Sequence, residues 1–302
     1  MTYYQALKKA TQYLKNQNIE DPSYEAGLLL SWALKKDISY VYSHGEDSLT
    51  FDQEKAFFSA LEARGKNKPY AYITNEQWFM GLNFYINEHV LIPRDDTETL
   101  VETALYALGK SIDTINQKKY SDMFQIAKKD TCRILDVGTG SGCIAISLLK
   151  FCEKCVVDAL DISAEAFCVA KENARRHQVD DRISFINADF MDFSPSHKYD
   201  IIVSNPPYIP SCDIKGLMSS VRDFEPVSAL DGGEDGLIFY RALAKGADAL
   251  LGEGGILIVE CGFDQAQAVS RIFKANFLNP LIFNDLSGVE RVVAATKDCP
   301  IF

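Results

Sequence analysis

From Cys132 onward, short apolar runs alternate with amphipathic segments of helical length. Such alternation predicts a parallel, doubly wound α/β sheet, because a crossover between parallel strands needs a connection of about the size of a helix. A helix is expected over 235–251, and the last two strands are expected to form a hairpin at the sheet edge. The predicted strands are 133–137, 156–161, 182–189, 199–205, 255–260 and the two runs that flank 285–288.

The first seventy residues have a different pattern, which predicts helices and no strand. Asp21 followed by Pro22 is typical of a capped helix start, and Thr50 with Gln53 resembles a capping box. We therefore expect a small helical domain at residues 1–70. In its first helix, four residues recur at helical spacing and predict the buried stripe, namely Tyr4, Leu7, Ala10 and Leu14.

Between these regions, residues 71–92 are rich in aromatic and β-branched side chains, with Gly81 and Asn83 as turn residues. This pattern predicts a β-hairpin that links two domains. Residues 93–302 are then the catalytic domain, in which Pro93 is expected to open a helix. The polar stretch 110–130 is expected to be a loop or an extra helical turn.

Charge and composition exclude several classes of protein. The formal net charge of −11 argues against a broad basic surface that grips nucleic acid. No run is long and apolar enough to span a membrane, and the N-terminus lacks the apolar core of a signal peptide, so a cytoplasmic location is expected. Only Cys152 and Cys155 have Cys-x-x-Cys spacing, and without a second ligand pair no metal site is predicted.

A glycine-rich loop follows the first strand of the alternating region. It comprises Gly138, Thr139, Gly140, Ser141 and Gly142, and a helix is predicted to begin directly after it. Glycines permit a tight turn and a close backbone approach to a ligand, while a helix N-terminus offers unpaired N–H donors. The spacing lacks the Gly-x-Gly-x-x-Gly pattern of dinucleotide binding, and it is similar to the S-adenosylmethionine loop of Rossmann-like methyltransferases.

Acidic and aromatic side chains follow the next two predicted strands. Asp161 ends the second strand, where a carboxylate can accept hydrogen bonds from both ribose hydroxyls of a nucleoside. Asp189 and Phe190 end the third strand, where the acid can approach the amine of adenine and the ring can lie against its face. Together with the glycine loop, these residues predict a site for an adenosyl ligand.

The fourth predicted strand leads directly into Asn205, Pro206, Pro207 and Tyr208. An amide nitrogen is a poor nucleophile because its lone pair is delocalised, so an enzyme must orient it. The side-chain oxygen of Asn205 and the carbonyl of Pro206 can accept its two N–H bonds, and the prolines stiffen the loop. Tyr208 can stack on the planar group. This tetrapeptide predicts methylation of a planar amide or amine nitrogen.

The whole set of motifs resembles the PrmC/HemK family, the glutamine methyltransferases of peptide-chain release factors. The resemblance covers nearly the whole chain and is carried, in order, by the helical N-terminal domain, VLIPRDDTE (90–98), DVGTGSG (136–142), NPPY (205–208), FEPVSALDGGEDGL (224–237) and DLSGVERVV (285–293). It implies a class I S-adenosylmethionine-dependent methyltransferase with a seven-stranded, mostly parallel sheet. The implied substrate is the Gly-Gly-Gln glutamine of class 1 release factors, and the implied role of residues 1–70 is substrate recognition.

The same resemblance implies the roles of the site residues. Cofactor binding is expected of 138–142, Asp161, Phe190 and Asn205, and substrate binding of 205–208, while Phe190 stands where relatives often have Trp. Three alternatives remain: a ribosomal-protein glutamine methyltransferase, an adenine-amine DNA methyltransferase, and a catalytically silent binding module. The PRDDTE segment favours the release-factor branch, and the acidic net charge argues against DNA as the substrate.

Overall fold

The computed structural model of the chain describes residues 1–110, 129–276 and 278–296, and these form two compact units. One unit consists of Met1–Glu76 with Met218–Phe224, and the other contains the remaining described residues. Nearly all of the stretch 110–130, expected to be a loop or an extra helical turn, lies outside the described residues.

The first unit is helical. It contains α1 (Tyr3–Asn16), α2 (Pro22–Leu34), α3 (Ile38–Ser43), α4 (Phe51–Gly65), α5 (Tyr70–Thr74) and the one-turn helix Ser219–Arg222. Its core combines small and large apolar side chains that are fully buried, including Ala6, Ala10, Leu29, Leu30 and Phe57. Alanines on α1 let a neighbouring helix approach closely, and the leucines and the phenylalanine supply most of the buried apolar surface.

Two local predictions in this unit are wrong in detail, and one is confirmed. The side chain of Thr50 accepts from the backbone N–H of Gln53 and the Gln53 side chain accepts from that of Thr50, so the capping box is present. Asp21 has a left-handed backbone, with φ of +46°, and forms no capping hydrogen bond, because capping needs an extended residue. The buried stripe of α1 is Tyr3, Ala6, Ala10 and Leu14, whereas Tyr4 is 61% exposed.

The predicted hairpin is formed by β1 (Glu76–Phe79) and β2 (Leu82–Tyr85). Met80 and Gly81, at the turn, both have positive φ, at +52° and +71°, as a tight two-residue hairpin turn requires. The hairpin is shorter than the predicted span 71–92, because residues 70–74 before it form α5. Pro69, directly before α5, cannot extend the preceding helix, so α5 begins as a separate helix.

The second unit contains the predicted α/β sheet. Its strands are β3 (Cys132–Val137), β4 (Cys155–Asp161), β5 (Ile183–Asn187), β6 (Tyr199–Ser204), β7 (Leu251–Glu260), β8 (Asn279–Asn284) and β9 (Glu290–Thr296). They are arranged in the order β5-β4-β3-β6-β7-β9-β8, and β9 alone runs antiparallel to the rest. The predicted seven-stranded, mostly parallel sheet with a final hairpin is confirmed.

The helices of this unit follow the predicted alternation. Among its described residues they are α6 (Glu98–Ala107), α7 (Cys143–Phe151), α8 (Ala164–Arg176), α9 (Ile238–Leu250) and α10 (Ala266–Ala275). The helix expected over 235–251 begins only at Ile238, and the one expected at Pro93 begins as the 3-10 turn Asp95–Thr97 before α6. Buried residues of β3, β6, β7, α9 and α10 share one apolar core.

Strand register places four residues side by side at the carboxyl edge of the sheet. Val137 pairs with Leu160 on β4 and with Ser204 on β6, and Ser204 pairs with Val259 on β7. The residue that follows each of these is therefore a neighbour of the next one, in the order Asp161, Gly138, Asn205 and Glu260.

Asn173 on α8 connects the hairpin to the glycine loop. It is fully buried, and its Oδ1 accepts from the backbone N of Tyr85 at 2.7 Å. Its Nδ2 donates to the backbone O of Tyr85 and to that of Ser141, both at 2.9 Å. One side chain thus satisfies three backbone groups, two at the end of β2 and one in the glycine loop.

We predict that Asn173→Ala lowers the free energy of unfolding by about 2–3 kcal/mol, because backbone groups of Tyr85 and Ser141 lose their partner. Urea denaturation measures this change. Asn276→Ala is the control, since Asn276 is exposed and its Nδ2 donates to the Ile272 carbonyl oxygen of its own helix, and it should change stability by about 0.5 kcal/mol or less. Equal effects from the two substitutions would contradict the connecting role of Asn173.

Candidate active site

A cavity of about 550 Å³ opens at the carboxyl edge of the sheet. Its walls come from the ends of β3, β4 and β6, from the segment before α6 and from the loop before α9. Most of the residues predicted for cofactor or substrate line it: Gly138, Thr139, Gly140, Ser141, Asp161, Phe190, Asn205, Pro206 and Pro207. Gly142 and Tyr208 are not among the lining residues.

The glycine loop presents bare backbone to this cavity. Gly138 and Gly140 have φ of +75° and +54°, in the left-handed region that other residues rarely adopt. A Cβ added at Gly138 would meet nothing within 4 Å, and one at Gly140 would meet only the Gly138 carbonyl oxygen at 4.0 Å. The space that these side chains would occupy is open, so the loop fits a cofactor that lies directly against the backbone.

Thr139 and Gly142 of the loop contact residues of the protein core. The Thr139 hydroxyl donates to Oδ2 of Asp136 at 2.6 Å, and Asp136 is fully buried in β3, so that burial raises the pKa of its carboxyl to about 7. A Cβ at Gly142 would lie 3.0 Å from Ile146 and 3.3 Å from Ala170. Gly142 therefore permits close packing of α7 on α8, and its cofactor role stays a prediction.

The Asp161 carboxylate is fixed by two backbone N–H groups. Its Oδ2 accepts from Gly140 at 2.8 Å and its Oδ1 accepts from Ser163 at 2.9 Å. Each carboxylate oxygen can accept a further hydrogen bond. The carboxylate lines the cavity beside the glycine loop, which suits the two hydroxyls of a ribose.

Phe190 lines the cavity from the 3-10 turn that follows β5. The preceding Asp189 caps this turn, since its Oδ1 accepts from the backbone N of Met191 at 2.9 Å. On α9, a Cβ at Gly246 would lie 3.3 Å from Cζ of Phe190, so a glycine leaves room for the ring. The ring is partly buried against the core and can offer one face to a planar ligand.

In the Asn-Pro-Pro-Tyr segment, the Nδ2 of Asn205 donates to Oγ1 of Thr97 at 3.1 Å. Pro206 is buried, and Pro207 is partly exposed at the cavity wall. Tyr208 packs against the core, and burial raises the pKa of its phenol to about 12. Its predicted stacking on the substrate stays a prediction.

A second glycine-rich loop supports this segment. A Cβ at Gly232 would lie 2.8 Å from Cα of Tyr208, and one at Gly236 would lie 2.3 Å from the Tyr208 carbonyl oxygen. That oxygen also accepts from Nε2 of Gln265 at 2.9 Å. The loop and the glutamine fix the backbone that follows the two prolines.

Sequence reasoning assigned no site role to several residues that line the cavity. Arg94 is one, and it forms an ion pair with Glu225, whose Oε2 also accepts from the backbone N of Ile92 at 3.4 Å. Thr97 is another. The signal was present, because VLIPRDDTE and FEPVSALDGGEDGL were among the motifs of the resemblance, but neither motif indicates which of its side chains face a cavity.

Two features are absent from the described residues. Among them, no group of three or more His, Cys, Asp and Glu side chains is arranged to hold a metal ion. None of their helices is long and apolar enough to cross a membrane.

Comparisons with known proteins agree with this geometry. Residues 5–74 match the model of the PrmC N-terminal domain, and residues 122–217 match that of the methyltransferase small domain. The solved structure of the hMettl16 catalytic domain in complex with an RNA hairpin is 15% identical, covers 83% of this chain and 84% of that one, and has a TM-score of 0.55. That structure has a fold similar to that of this chain.

The fold and the cavity define a class I S-adenosylmethionine-dependent methyltransferase. The chain is 37% identical to the release factor glutamine methyltransferase of Clostridium acetobutylicum, with 97% of each chain covered. It is 38% identical to that of Moorella thermoacetica, with 98% and 99% covered, and 38% identical to a bifunctional methyltransferase of Rickettsia felis, of which it spans 57%. The chain belongs to the family of release factor glutamine methyltransferases, which confirms the resemblance and the predicted cofactor.

We predict that Gly138→Ala weakens S-adenosylmethionine binding, because the new Cβ points into the cavity. Gly288→Ala is a matched control, since Gly288 has φ of +83° and a Cβ there would also meet nothing within 4 Å, yet it does not line the cavity. Both should lose about 1 kcal/mol of stability from backbone strain. Calorimetric titration should show weaker cofactor binding for Gly138→Ala than for Gly288→Ala. Equal affinities would contradict the assignment of the loop to the cofactor.

Proposed function

We propose that this chain transfers a methyl group from S-adenosylmethionine to the side-chain amide nitrogen of the Gly-Gly-Gln glutamine in class 1 release factors, in the cytoplasm. The observation that carries the proposal is the position of Asn205 and Pro206 beside the glycine loop, in a chain that matches release factor glutamine methyltransferases over nearly its full length. The alternatives would need a ribosomal protein or DNA as substrate, and the net charge of −11 disfavours DNA.

The residues present fit the cofactor. Gly138 and Gly140 offer open backbone, Asp161 offers acceptor oxygens for the ribose, and Phe190 offers a ring for the adenine. When bound, the cofactor supplies a sulfonium whose methyl group is readily transferred. The chain's own task is to bring a weakly nucleophilic amide to that methyl group and to hold it in line.

Recognition of the amide falls to Asn205 and Pro206. The glutamine NH₂ group has two hydrogens, and the Oδ1 of Asn205 and the Pro206 carbonyl are two acceptors close together in the chain. The hydrogen bond from the Asn205 Nδ2 to Thr97 supports this role, since it leaves Oδ1 for the substrate. Acceptors that draw on the N–H bonds increase electron density on the nitrogen, and the product's extra proton leaves to water.

We predict that Asn205→Ala lowers kcat for release factor methylation by about 10²–10³-fold, the cost of losing one preorganised polar partner. The measurement uses labelled S-adenosylmethionine with purified class 1 release factor. Asn276→Ala, which lies at the end of α10 and outside the cavity, should retain wild-type activity.

The same assay includes a release factor with the Gly-Gly-Gln glutamine changed to Ala, a ribosomal protein mixture and duplex DNA. Label on the intact release factor alone supports the proposal. Label on DNA or on the ribosomal proteins, with none on the release factor, would replace it with the corresponding alternative.

We further propose that the helical domain, residues 1–70, contacts the release factor outside its glutamine loop. Support comes from the match of residues 5–74 to the PrmC N-terminal domain and from the exposed aromatic side chains of this unit, of which Phe51 is 83% exposed and Tyr4 61%. Exposed aromatic residues on a small domain are typical of protein interfaces.

Removal of residues 1–70 should therefore raise KM for the release factor and spare S-adenosylmethionine affinity, because the cofactor residues all lie in the second unit. Steady-state kinetics and calorimetry of the full and shortened chains measure the two quantities. If the shortened chain also bound S-adenosylmethionine more weakly, to a similar degree, the helical domain would not be specific to the release factor.

A further inference from the structure

A buried carboxyl group stands behind the Asn-Pro-Pro-Tyr segment and has no part in the function described so far. Glu260 ends β7, and strand register places it next to Asn205 at the end of β6. Only 1% of the residue is exposed, and its Oε2 has no hydrogen-bond partner among the described residues. Burying such a group costs free energy, so a fold retains it most readily where it serves a purpose.

Thr97 and Asn205 lie against this carboxyl. Burial raises the pKa of Glu260 to about 7, and the polar side chains of Thr97 and Asn205 oppose the rise, as does Arg291, while Asp96 adds to it. Thr97 is itself only 2% exposed, and its Oγ1 accepts from Nδ2 of Asn205 at 3.1 Å. Thr97 and Asn205 belong to the cavity wall, and with the buried Glu260 they form a small polar cluster there.

The chemistry of this cluster favours one orientation of the Asn205 amide. Thr97 uses an oxygen lone pair to accept from Asn205, which leaves its own hydroxyl hydrogen for another acceptor, and the Glu260 carboxyl is the acceptor beside it. If the amide were turned over, the Thr97 hydroxyl could donate to Oδ1 only by giving up Glu260, and the carboxyl would face Oδ1 in place of an N–H donor. A buried carboxyl that loses both donors has neither a hydrogen bond nor water, which makes that orientation costly.

We infer that Thr97 and Glu260 are positioning residues, which hold the NH₂ group of Asn205 away from the cavity so that its oxygen receives the glutamine amide. This inference rests on the proposed function, since it specifies how the acceptor for the substrate is kept in place. With the amide turned over, Asn205 would offer N–H donors to the N–H donors of glutamine, and the substrate amide would no longer be oriented.

The test compares two substitutions at Thr97 with opposite chemistry. Thr97→Val keeps the shape and removes the hydroxyl, whereas Thr97→Ser keeps the hydroxyl and removes a methyl group. We expect kcat for release factor methylation to fall about ten- to hundredfold in Thr97→Val, with Thr97→Ser near wild type. A role in packing alone predicts the reverse ranking, so valine equal to or better than serine would overturn the inference.

Thr103→Val is the matched control. Thr103 is a fully buried threonine on α6, and its hydroxyl donates to the Thr99 carbonyl oxygen at 2.7 Å, outside the cavity. The same chemical change is made there, and kcat should remain at the wild-type value. Glu260→Gln, which offers Asn205 an NH₂ group as well as an oxygen, should lower kcat in the same direction as Thr97→Val.

A readout that needs no substrate separates this inference from the proposed function. In ¹⁵N-labelled protein, the Asn205 Nδ2 hydrogens should be protected from exchange in the wild type and in Thr97→Ser, and should exchange faster in Thr97→Val. Equal exchange in all three would overturn the inference. A wild-type chain that leaves the release factor unmethylated but shows the protection would instead overturn the proposed substrate.

Discussion

The parallel register of β4, β3, β6 and β7 is the constraint on which the site depends. Because the strands point the same way and end together, Asp161, Gly138, Asn205 and Glu260 form one row at the carboxyl edge of the sheet. The residues predicted to bind cofactor and substrate thus come from strands that are far apart in the chain and adjacent in space. A ligand bound at the glycine loop is brought next to the Asn-Pro-Pro-Tyr segment without any further device.

Behind this row lies a set of side chains that hold the loops in place. Asn173 fixes the glycine loop to the hairpin, and Gln265 fixes the Tyr208 carbonyl. Thr97 holds the amide of Asn205. The methyl donor is reactive and the amide is not, so the chain contributes mainly by positioning the amide. The fold therefore raises the rate by holding the acceptor groups rigidly in place.

The sequence predicted what short-range signals encode. Strand–helix alternation, the glycine loop and the capping box at Thr50 are local, and the fold agrees with them. Contacts between Arg94 and Glu225, 131 residues apart, or between Asn205 and Thr97, 108 apart, leave no local pattern. The buried stripe of α1 has the same explanation. Helical spacing predicts how often a buried residue recurs, but the packing of α1 against its neighbours decides that Tyr3 is buried and Tyr4 exposed.

The cavity and the family together define an enzyme that methylates one amide nitrogen of one protein loop. Mass spectrometry of class 1 release factor incubated with the chain and S-adenosylmethionine tests it most directly, because fragment ions assign the modified residue. We expect a single added methyl group on the side chain of the Gly-Gly-Gln glutamine, absent when the Asn205→Ala chain is used. A methyl group on another residue, or the same modification with Asn205→Ala, would contradict it.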